Sequence, residues 1–312
     1  MLEFSYPKSP SLSLQRNELL QRSLRPERTD YPIEIEYPIV LSSLYSEYSI
    51  CAIRDGDVIA HANLWPRSLV NVHSRETYKV GLVGNVATLK EYRGQGIMTQ
   101  LINEIIDRSK TIKISALFLW SDLIQFYQSF GFSSFSKEDR FVFTKTSLAN
   151  FSDLLGNFFL ETNNSLTDEE LALLLELRPQ SGFTLQRGIN EFRSLLKIPD
   201  TNMLSIRVDG NIVAYAVLGK GYDMNGIVHE WGAVDYSYLF LLLFNIMNKA
   251  LVQEITLLAP ENLSEELSSI FSRHCLEKST HPMAFCCPLV ERMTPGLEKA
   301  LQDTFIWGLD SI

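Results

Sequence analysis

A short glycine-bearing segment stands directly ahead of an amphipathic run in the first half of the chain. It reads Arg93-Gly94-Gln95-Gly96, and the apolar residues that follow it recur at helical spacing. The first N–H groups of a helix have no partner within the helix, and the helix dipole is positive at that end. Glycine lets the backbone approach a ligand closely, and arginine adds a charged fork. The segment therefore indicates a phosphate-binding loop, with an ordinary glycine turn as the alternative.

Two familiar phosphate motifs are excluded at this loop. Position 99 is threonine, so the segment is not G-x-G-x-x-G, and it contains no G-K-[ST]. The surrounding patterns predict the elements that position the loop, in the order strand, strand, strand, helix, strand, helix, strand. They are a hairpin over 48–65 that turns at Asp55-Gly56, a strand over 78–89, a helix that begins after Gly96, a buried strand over 114–120, a short helix over 121–132 and a strand over 140–145.

The chain contains an internal repeat. Residues 204–218 repeat the pattern of residues 51–64 across the same hairpin turn, and a strand, an apolar helix and another strand follow. The second copy has no counterpart of the glycine loop. We therefore predict an α/β (α+β) fold of two tandem domains, 1–148 and 149–312, in which the second copy is degenerate.

Charge and composition limit the function. The net charge is −9, which argues against a general nucleic-acid binder. Residues 1–150 hold 17 basic and 16 acidic residues, whereas residues 151–312 hold 11 and 21, so the acidic half favours a cationic substrate. No apolar run is long enough to span a membrane, and the first twenty residues do not form a signal peptide. The cysteines show no C-x-x-C spacing. We therefore predict a cytoplasmic protein whose thiols are reduced.

The segment "VATLKEYRGQGIM", followed by a buried strand and "FYQSFGF", resembles the GCN5-related N-acetyltransferase (GNAT) superfamily. In that superfamily an R/Q-x-x-G-x-G/A loop holds the pyrophosphate of acetyl-CoA, and Met98 stands here where glycine or alanine is commoner. The tandem organisation resembles the enhanced-intracellular-survival (Eis) type, with the cofactor site in the first domain and without the sterol-carrier-like domain of those proteins. Mycothiol synthases are also tandem, but their active copy is the second.

The resemblance implies acetyl-CoA as co-substrate, no metal, and roles for particular residues. An extended pantetheine arm would pair with the strand edge at Val86, Ala87 and Thr88. Tyr127 would be the general acid that protonates the leaving thiolate, although its helical spacing with apolar neighbours also fits a core tyrosine. Asp122, with Ser121, either lines the cofactor site or caps a helix. The remaining cofactor-binding residues implied are Arg93, Gly94, Gln95, Gly96, Ile97, Met98 and Thr99.

The general base is not evident from the sequence. Many relatives use a glutamate on the strand before the loop, where this chain has Asn85, which could hold a water molecule. His61, His73, Glu76 and Glu230 are weaker alternatives, each with a structural or surface role to set against it. The run His229-Glu230-Trp231 fits either substrate binding or a hydrogen-bond cluster at a domain interface. Eis-type enzymes use their terminal carboxylate, a role that we do not carry over to Ile312.

The sequence therefore predicts an N-acetyltransferase that moves an acetyl group from acetyl-CoA to a primary amine by direct attack. Backbone N–H groups near Asn85 and Val86 would stabilise the oxyanion, and the substrate would lie between the domains. The expected partner is a small-molecule or peptide amine, with no nucleic acid and no membrane, and a homo-oligomer is allowed. The alternative is a non-catalytic acetyl-CoA-binding sensor or scaffold.

Overall fold

The computed structural model describes residues 2–152, 158–162, 166–179, 182–250 and 252–312. Within those residues, no helix has both the length and the apolar character needed to cross a membrane. The helices are α1 Pro10–Leu24, α2 Ile33–Glu36, α3 Ile97–Thr111, α4 Ile124–Gln128, α5 Asp168–Leu177, α6 Ile189–Leu195, α7 Tyr236–Ala250, α8 Glu265–His274 and α9 Pro295–Gln302. The strands are β1 Leu2–Ser5, β2 Ser49–Arg54, β3 Asp57–Asn71, β4 Thr77–Thr88, β5 Ala116–Leu119, β6 Ser133–Thr144, β7 Phe158–Thr162, β8 Phe183–Leu185, β9 Asn202–Val208, β10 Asn211–Leu218, β11 Ile227–Ala233, β12 Glu254–Pro260, β13 Glu277–Pro288 and β14 Thr304–Phe305.

The chain forms two compact units, and both are discontinuous in sequence. The first unit contains residues 1–135, 284–302 and 311–312, and the second contains residues 136–283 and 303–310. The segment after residue 283 returns to the first unit because the end of β13 pairs antiparallel with β5. The division of function between 1–148 and 149–312 stays a prediction.

The first unit contains a mixed, mostly antiparallel sheet. Strands β1 to β4 pair antiparallel in order, and β4 pairs parallel with β5 after the crossover through α3. The predicted turn at Asp55-Gly56 is present, with φ of 55° and 94°, the left-handed pair that a tight hairpin requires. Helix α3 buries the apolar face that its spacing predicts and closes the core of this unit over Leu101, Ile102 and Ile105.

The second unit repeats the order of the first. Strands β9, β10 and β11 pair antiparallel, and β11 pairs parallel with β12 after the crossover through α7. The connection before the crossover helix differs between the copies. In the first unit it spans residues 89–96 and carries the glycines, whereas in the second only Val234 and Asp235 separate β11 from α7. The second unit therefore repeats the fold of the first with a shorter connection before its crossover helix.

Two predicted boundaries were wrong. The helix predicted over 121–132 is confined to α4, because Leu123 at its N-cap offers no side-chain acceptor and the chain turns again at Gly131, where φ is 89°. The strand predicted over 140–145 begins much earlier, at Ser133 in β6. The part of β6 in the second unit pairs with β12 from Glu138 to Thr144. Pairing between strands therefore extends β6 to polar residues that precede its apolar segment.

The run His229-Glu230-Trp231 lies inside the second unit, and all three residues are fully buried. Glu230 accepts two hydrogen bonds from the Arg187 guanidinium at 2.8 and 2.9 Å, and the same guanidinium contacts the Asp310 carboxylate at 2.8 Å. The Trp231 indole N–H donates to the Leu258 carbonyl at 2.8 Å. The contacts of this polar run are therefore those of a paired, hydrogen-bonded core.

We expect Glu230→Ala to destabilise the second unit by roughly 3–5 kcal/mol, because it removes one of the two carboxylates that pair with the buried Arg187 cation and leaves a cavity in the core. Urea unfolding followed by tryptophan fluorescence would measure the loss. The matched control is Glu261→Ala, which breaks an exposed 3.0 Å pair with Lys137 and should cost about 1 kcal/mol or less. Equal losses in the two variants would contradict the structural role of Glu230.

Candidate acyl-transfer site

The glycine loop is open and left-handed. Gly94 and Gly96 have φ of 75° and 71°, and a Cβ placed on either residue would meet no atom within 4 Å. Gly96 is the N-cap of α3 and has no side chain to accept the first N–H groups of the helix. The loop therefore presents backbone donors at the positive end of a fifteen-residue helix, which is an arrangement suited to an anion.

Two guanidinium groups lie at this loop. Arg93 Nε donates to the carbonyl oxygen of Thr88 at 3.1 Å, and Arg54 Nη1 donates to Gln95 Oε1 at 3.1 Å. Arg54 also stacks over the Tyr92 ring, 5.2 Å from its centroid. Sequence reasoning did not single out Arg54, although the internal repeat has an arginine at this position in both copies. Its counterpart Arg207 in the second unit is held by Glu170 at 2.6 Å, whereas Arg54 faces the loop.

Strand β4 bends immediately before the predicted pantetheine edge. The pairing with β3 passes from His61↔Ala87 to Asn63↔Gly84, so Asn85 and Val86 both lie opposite Ala62 in a bulge. Asn85 has a φ of 50°, which is uncommon for a residue other than glycine. The bend changes the direction in which the next residues present their backbone groups.

The pairing between β4 and β5 stops before that bend. It covers Val80 to Leu82 of β4, ending at Leu82↔Phe118. The structure describes Val86, Ala87 and Thr88, and none of them pairs with β5. This edge is therefore not paired with β5, and its use by a pantetheine arm stays a prediction.

Tyr127 lies in α4 and is 4% exposed. Its ring packs edge-on against Phe132 at 5.8 Å between centroids, within the buried cluster that includes Val83 and Ile97. Burial raises the pKa of Tyr127 to about 12, so the hydroxyl is protonated at neutral pH, the form that a general acid needs. The packing is also that of a core tyrosine, so the catalytic role stays a prediction.

Asp122 and Ser121 precede α4 without capping it. Asp122 is exposed, and Ser121 Oγ accepts from the Leu123 N–H at 3.0 Å in a local turn. Capping by Asp122 is therefore wrong, because the helix starts at Ile124 with Leu123 at the cap. A role for Asp122 at the cofactor stays a prediction.

Three of the four residues weighed as general bases are engaged elsewhere, and the fourth, His73, is exposed in a turn. His61 is fully buried, and both of its ring nitrogens have partners, Ser49 Oγ at 2.7 Å and the Asn85 carbonyl at 2.8 Å. Burial, followed by the charge of Arg16, lowers the pKa of His61 to about 3. Glu76 accepts from the Tyr78 hydroxyl at 2.5 Å, and Glu230 pairs with Arg187. His73 is exposed in the turn before β4.

Residue 312 lies against the bent strand in the first unit, a position that sequence reasoning did not assign to it. A Cβ added to Gly84 would lie 2.8 Å from the main-chain carbon of Ile312 and 2.9 Å from its oxygen. Because real Cβ atoms do not approach backbone so closely, glycine is required here for the contact. An acceptor oxygen therefore lies directly beside the bend at Asn85.

The comparisons with known proteins agree with this geometry. Residues 15–135 match the family model described as "Acetyltransferase (GNAT) domain", and no curated protein matches the chain. The matched residues all lie in the first unit, and the match agrees with the resemblance noted for the loop.

Solved structures show the fold over nearly the whole chain. A GCN5-related N-acetyltransferase from Kribbella flavida is similar with a TM-score of 0.65 and 13% identity, over 93% of this chain and 72% of that one. Eis1 from Mycobacterium abscessus has a TM-score of 0.61 and 12% identity, over 93% and 74%. A tandem GNAT protein from the clavulanic acid biosynthesis pathway has a TM-score of 0.55 and 12% identity, over 94% and 100%. The predicted tandem GNAT fold is confirmed.

We expect Gly84→Ala to displace residue 312, because the added Cβ would overlap its main chain. In protein with ¹³C-labelled isoleucine methyl groups, the Ile312 resonance should shift. Gly188→Ala is the control, because nothing lies within 4 Å of a Cβ there and its φ is −82°. An unchanged Ile312 resonance in Gly84→Ala would contradict the contact.

Proposed function

We propose that the first unit transfers an acetyl group from acetyl-CoA to a primary amine. The observation that carries the proposal is the open glycine loop at the start of α3 together with the unpaired edge of β4 just beyond the bend. A pyrophosphate bound at residues 94–99 and a pantetheine arm extended along residues 86–88 would occupy the two features at once. Arg54 and Arg93 would add positive charge at the phosphates.

The chemistry would be direct acyl transfer. The amine nitrogen attacks the thioester carbon, and a tetrahedral oxyanion forms that accepts a hydrogen bond from the N–H of Val86. The C–S bond then breaks, and the thiolate takes its proton from the Tyr127 hydroxyl. The proton lost by the attacking nitrogen passes to water, since His61, Glu76 and Glu230 are engaged elsewhere. Water in turn returns a proton to the Tyr127 oxygen.

The acceptor would be an amine that is cationic in solution and loses one proton to water before its neutral nitrogen attacks. The excess of acidic residues in the second half of the sequence favours such a substrate by long-range attraction. The main-chain oxygen of Ile312, beside Gly84, would accept a hydrogen bond from the amine and hold it next to the bend. Polyamines, aminoglycosides and lysine-containing peptides share this chemistry, and are the acceptors to test first.

A sensor or scaffold that binds acetyl-CoA without turnover is the second candidate. It is favoured by the engagement of His61, Glu76 and Glu230, and by an asparagine at position 85 where a carboxylate could act as base. The two candidates share the same cofactor cradle, so binding and turnover must be measured separately.

We expect calorimetric titration to show that the protein binds acetyl-CoA and that Gly96→Glu abolishes measurable binding. The glutamate would strain a left-handed position and place negative charge where the pyrophosphate sits. Gly210→Glu is the matched control, since Gly210 also has an open left-handed position, with φ of 82°, but lies in the hairpin turn of the second unit. A folded protein that does not bind acetyl-CoA would overturn the proposed function.

We expect Tyr127→Phe to lower turnover roughly 10²-fold or more while the affinity for acetyl-CoA is unchanged, because only the proton for the thiolate is lost. Thiol release would be measured with spermidine, kanamycin and a lysine peptide as acceptors. Tyr215→Phe, which removes a buried hydroxyl from the second unit, controls for general loss of packing. Binding by both proteins without thiol release from either would instead establish the sensor.

A further inference from the structure

A chain of buried polar groups runs from α1 to the bend in β4, entirely within the first unit. Arg16 Nη1 lies 3.1 Å from Ser49 Oγ, which lies 2.7 Å from His61 Nε2. His61 Nδ1 in turn lies 2.8 Å from the carbonyl oxygen of Asn85. All four residues are buried, with Ser49 and His61 fully inaccessible. The chain therefore connects a helix near the N-terminus to the one left-handed residue within β4.

The hydrogen bond to Asn85 has a fixed direction. A carbonyl oxygen can only accept, so His61 Nδ1 carries the hydrogen that is donated to Asn85. Burial, with the Arg16 charge, lowers the pKa of His61 to about 3, so the imidazole is neutral and Nε2 carries no hydrogen. Ser49 Oγ, which accepts from Arg16, then donates its own hydrogen to His61 Nε2.

A second set of contacts holds the side chain of Asn85. Its Nδ2 donates to Asn63 Oδ1 at 3.1 Å, and Asn63 Nδ2 donates to the Val40 carbonyl at 3.2 Å. Asn85 is thus held through both its backbone carbonyl and its amide. The left-handed region is uncommon for residues other than glycine, and these contacts hold Asn85 in it.

The anchored carbonyl determines where the next N–H points. In a planar trans peptide the C=O and N–H bonds lie on opposite sides of the chain. Since the Asn85 carbonyl is directed to His61, the N–H of Val86 is directed away from His61. In the bulge, the cross-strand partner of both residues is the single residue Ala62, so regular strand pairing does not set this orientation.

We propose that His61 is a positioning residue for acyl transfer, which Arg16 and Ser49 hold in one tautomer so that the Val86 N–H faces the thioester oxygen. This inference rests on the proposed function. His61 does not touch the reacting atoms and acts through the Asn85–Val86 peptide. It is thereby assigned a role distinct from the general base that the sequence suggested.

The second unit shows that the fold does not need this chain of contacts. Its repeat places Tyr215 at the position of His61, in the same hairpin of β9 and β10. Strand β11, described from Ile227 to Ala233, contains no left-handed residue. The first unit instead keeps Arg16, 2% exposed, among the neutral acceptors Ser49, Asn17 and the Leu41 carbonyl, which is a costly arrangement for a cation.

The tautomer can be tested without any ligand. We expect ¹⁵N-histidine NMR of the whole protein to show His61 neutral and protonated on Nδ1 between pH 5 and pH 8. The lower end of this range is on the order of two pH units above the pKa of His61. The resonance is assigned by its loss in His61→Asn. An Nε2–H tautomer, or titration near the ordinary histidine pKa, would overturn the relay of hydrogen bonds.

The positioning role is tested on bound acetyl-CoA whose acetyl carbonyl is labelled with ¹³C. A hydrogen bond from the Val86 N–H polarises that carbonyl, so its infrared stretch should move to lower frequency on binding. We expect His61→Leu to bind acetyl-CoA and lose most of this shift. His61→Asn, whose amide places a donor near the Nδ1 position, should restore it.

Two further variants keep the result interpretable. Ser49→Ala leaves the Nδ1 donor in place while freeing Nε2, so it should give an intermediate shift even if His61→Leu does not fold. Tyr215→Leu makes a comparable truncation at the repeat position of the second unit and should leave the shift unchanged. A full shift in both His61→Leu and Ser49→Ala would overturn the proposal.

Failure of the proposed function gives a different pattern of results. If the native protein does not bind acetyl-CoA, the transferase function is overturned and the positioning role falls with it, whatever tautomer the NMR shows. If the native protein binds and shows the infrared shift, but the shift is independent of His61, the transferase function stands and only this inference is wrong.

Discussion

The geometry of the first unit depends on one constraint, the left-handed bend at Asn85. Without it, β4 would continue in register with β3, and the backbone groups of residues 86–88 would keep the directions of a regular strand. The bend is opposed by the conformational preference of an L-residue and is maintained by hydrogen bonds to His61 and Asn63. The glycine loop follows β4 after a short turn and places the N-terminus of α3 near the end of this bent strand. The buried hydrogen bonds of Asn85 thus determine the shape of the surface that would bind a ligand.

The two copies show how one fold is used in two ways. Gly84 and Glu230 occupy corresponding positions, since their cross-strand partners Asn63 and Val217 are equivalent in the repeat. In the first unit, glycine leaves room for residue 312 beside the bend. In the second, a carboxylate fills the space and binds Arg187. The second copy thus has a buried charge network and a two-residue connection where the first copy has a glycine and the longer glycine loop.

Local signals in the sequence were sufficient for much of the fold. The Asp55-Gly56 turn and the amphipathic α3 are both present, because each depends on residues close together in the chain. The repeat identified the second copy for the same reason. Glycines ahead of a helix likewise pointed to the loop.

What the sequence did not show depends on contacts between distant residues. Neither helix α1 nor the burial of Arg16 was predicted, because a charged residue lies on the buried face of this helix beside Leu19 and Leu20. The bend at Asn85 requires His61 and Asn63 from the neighbouring strand, and no local pattern marks a left-handed asparagine there. The partners of Glu230 lie at positions 187 and 178, and Asp310 joins them through Arg187, so its role could not be read from the run His229-Glu230-Trp231.

The central claim is that the bend and the glycine loop together form one binding surface for acetyl-CoA. The most direct measurement is a titration of deuterated, ¹⁵N-labelled protein with acetyl-CoA, followed through its backbone amide resonances. The account predicts that the largest changes fall in both segments, residues 86–88 and 94–99, and not at residues 230–235 of the second copy. Changes confined to the glycine loop, or larger changes in the second copy, would contradict it.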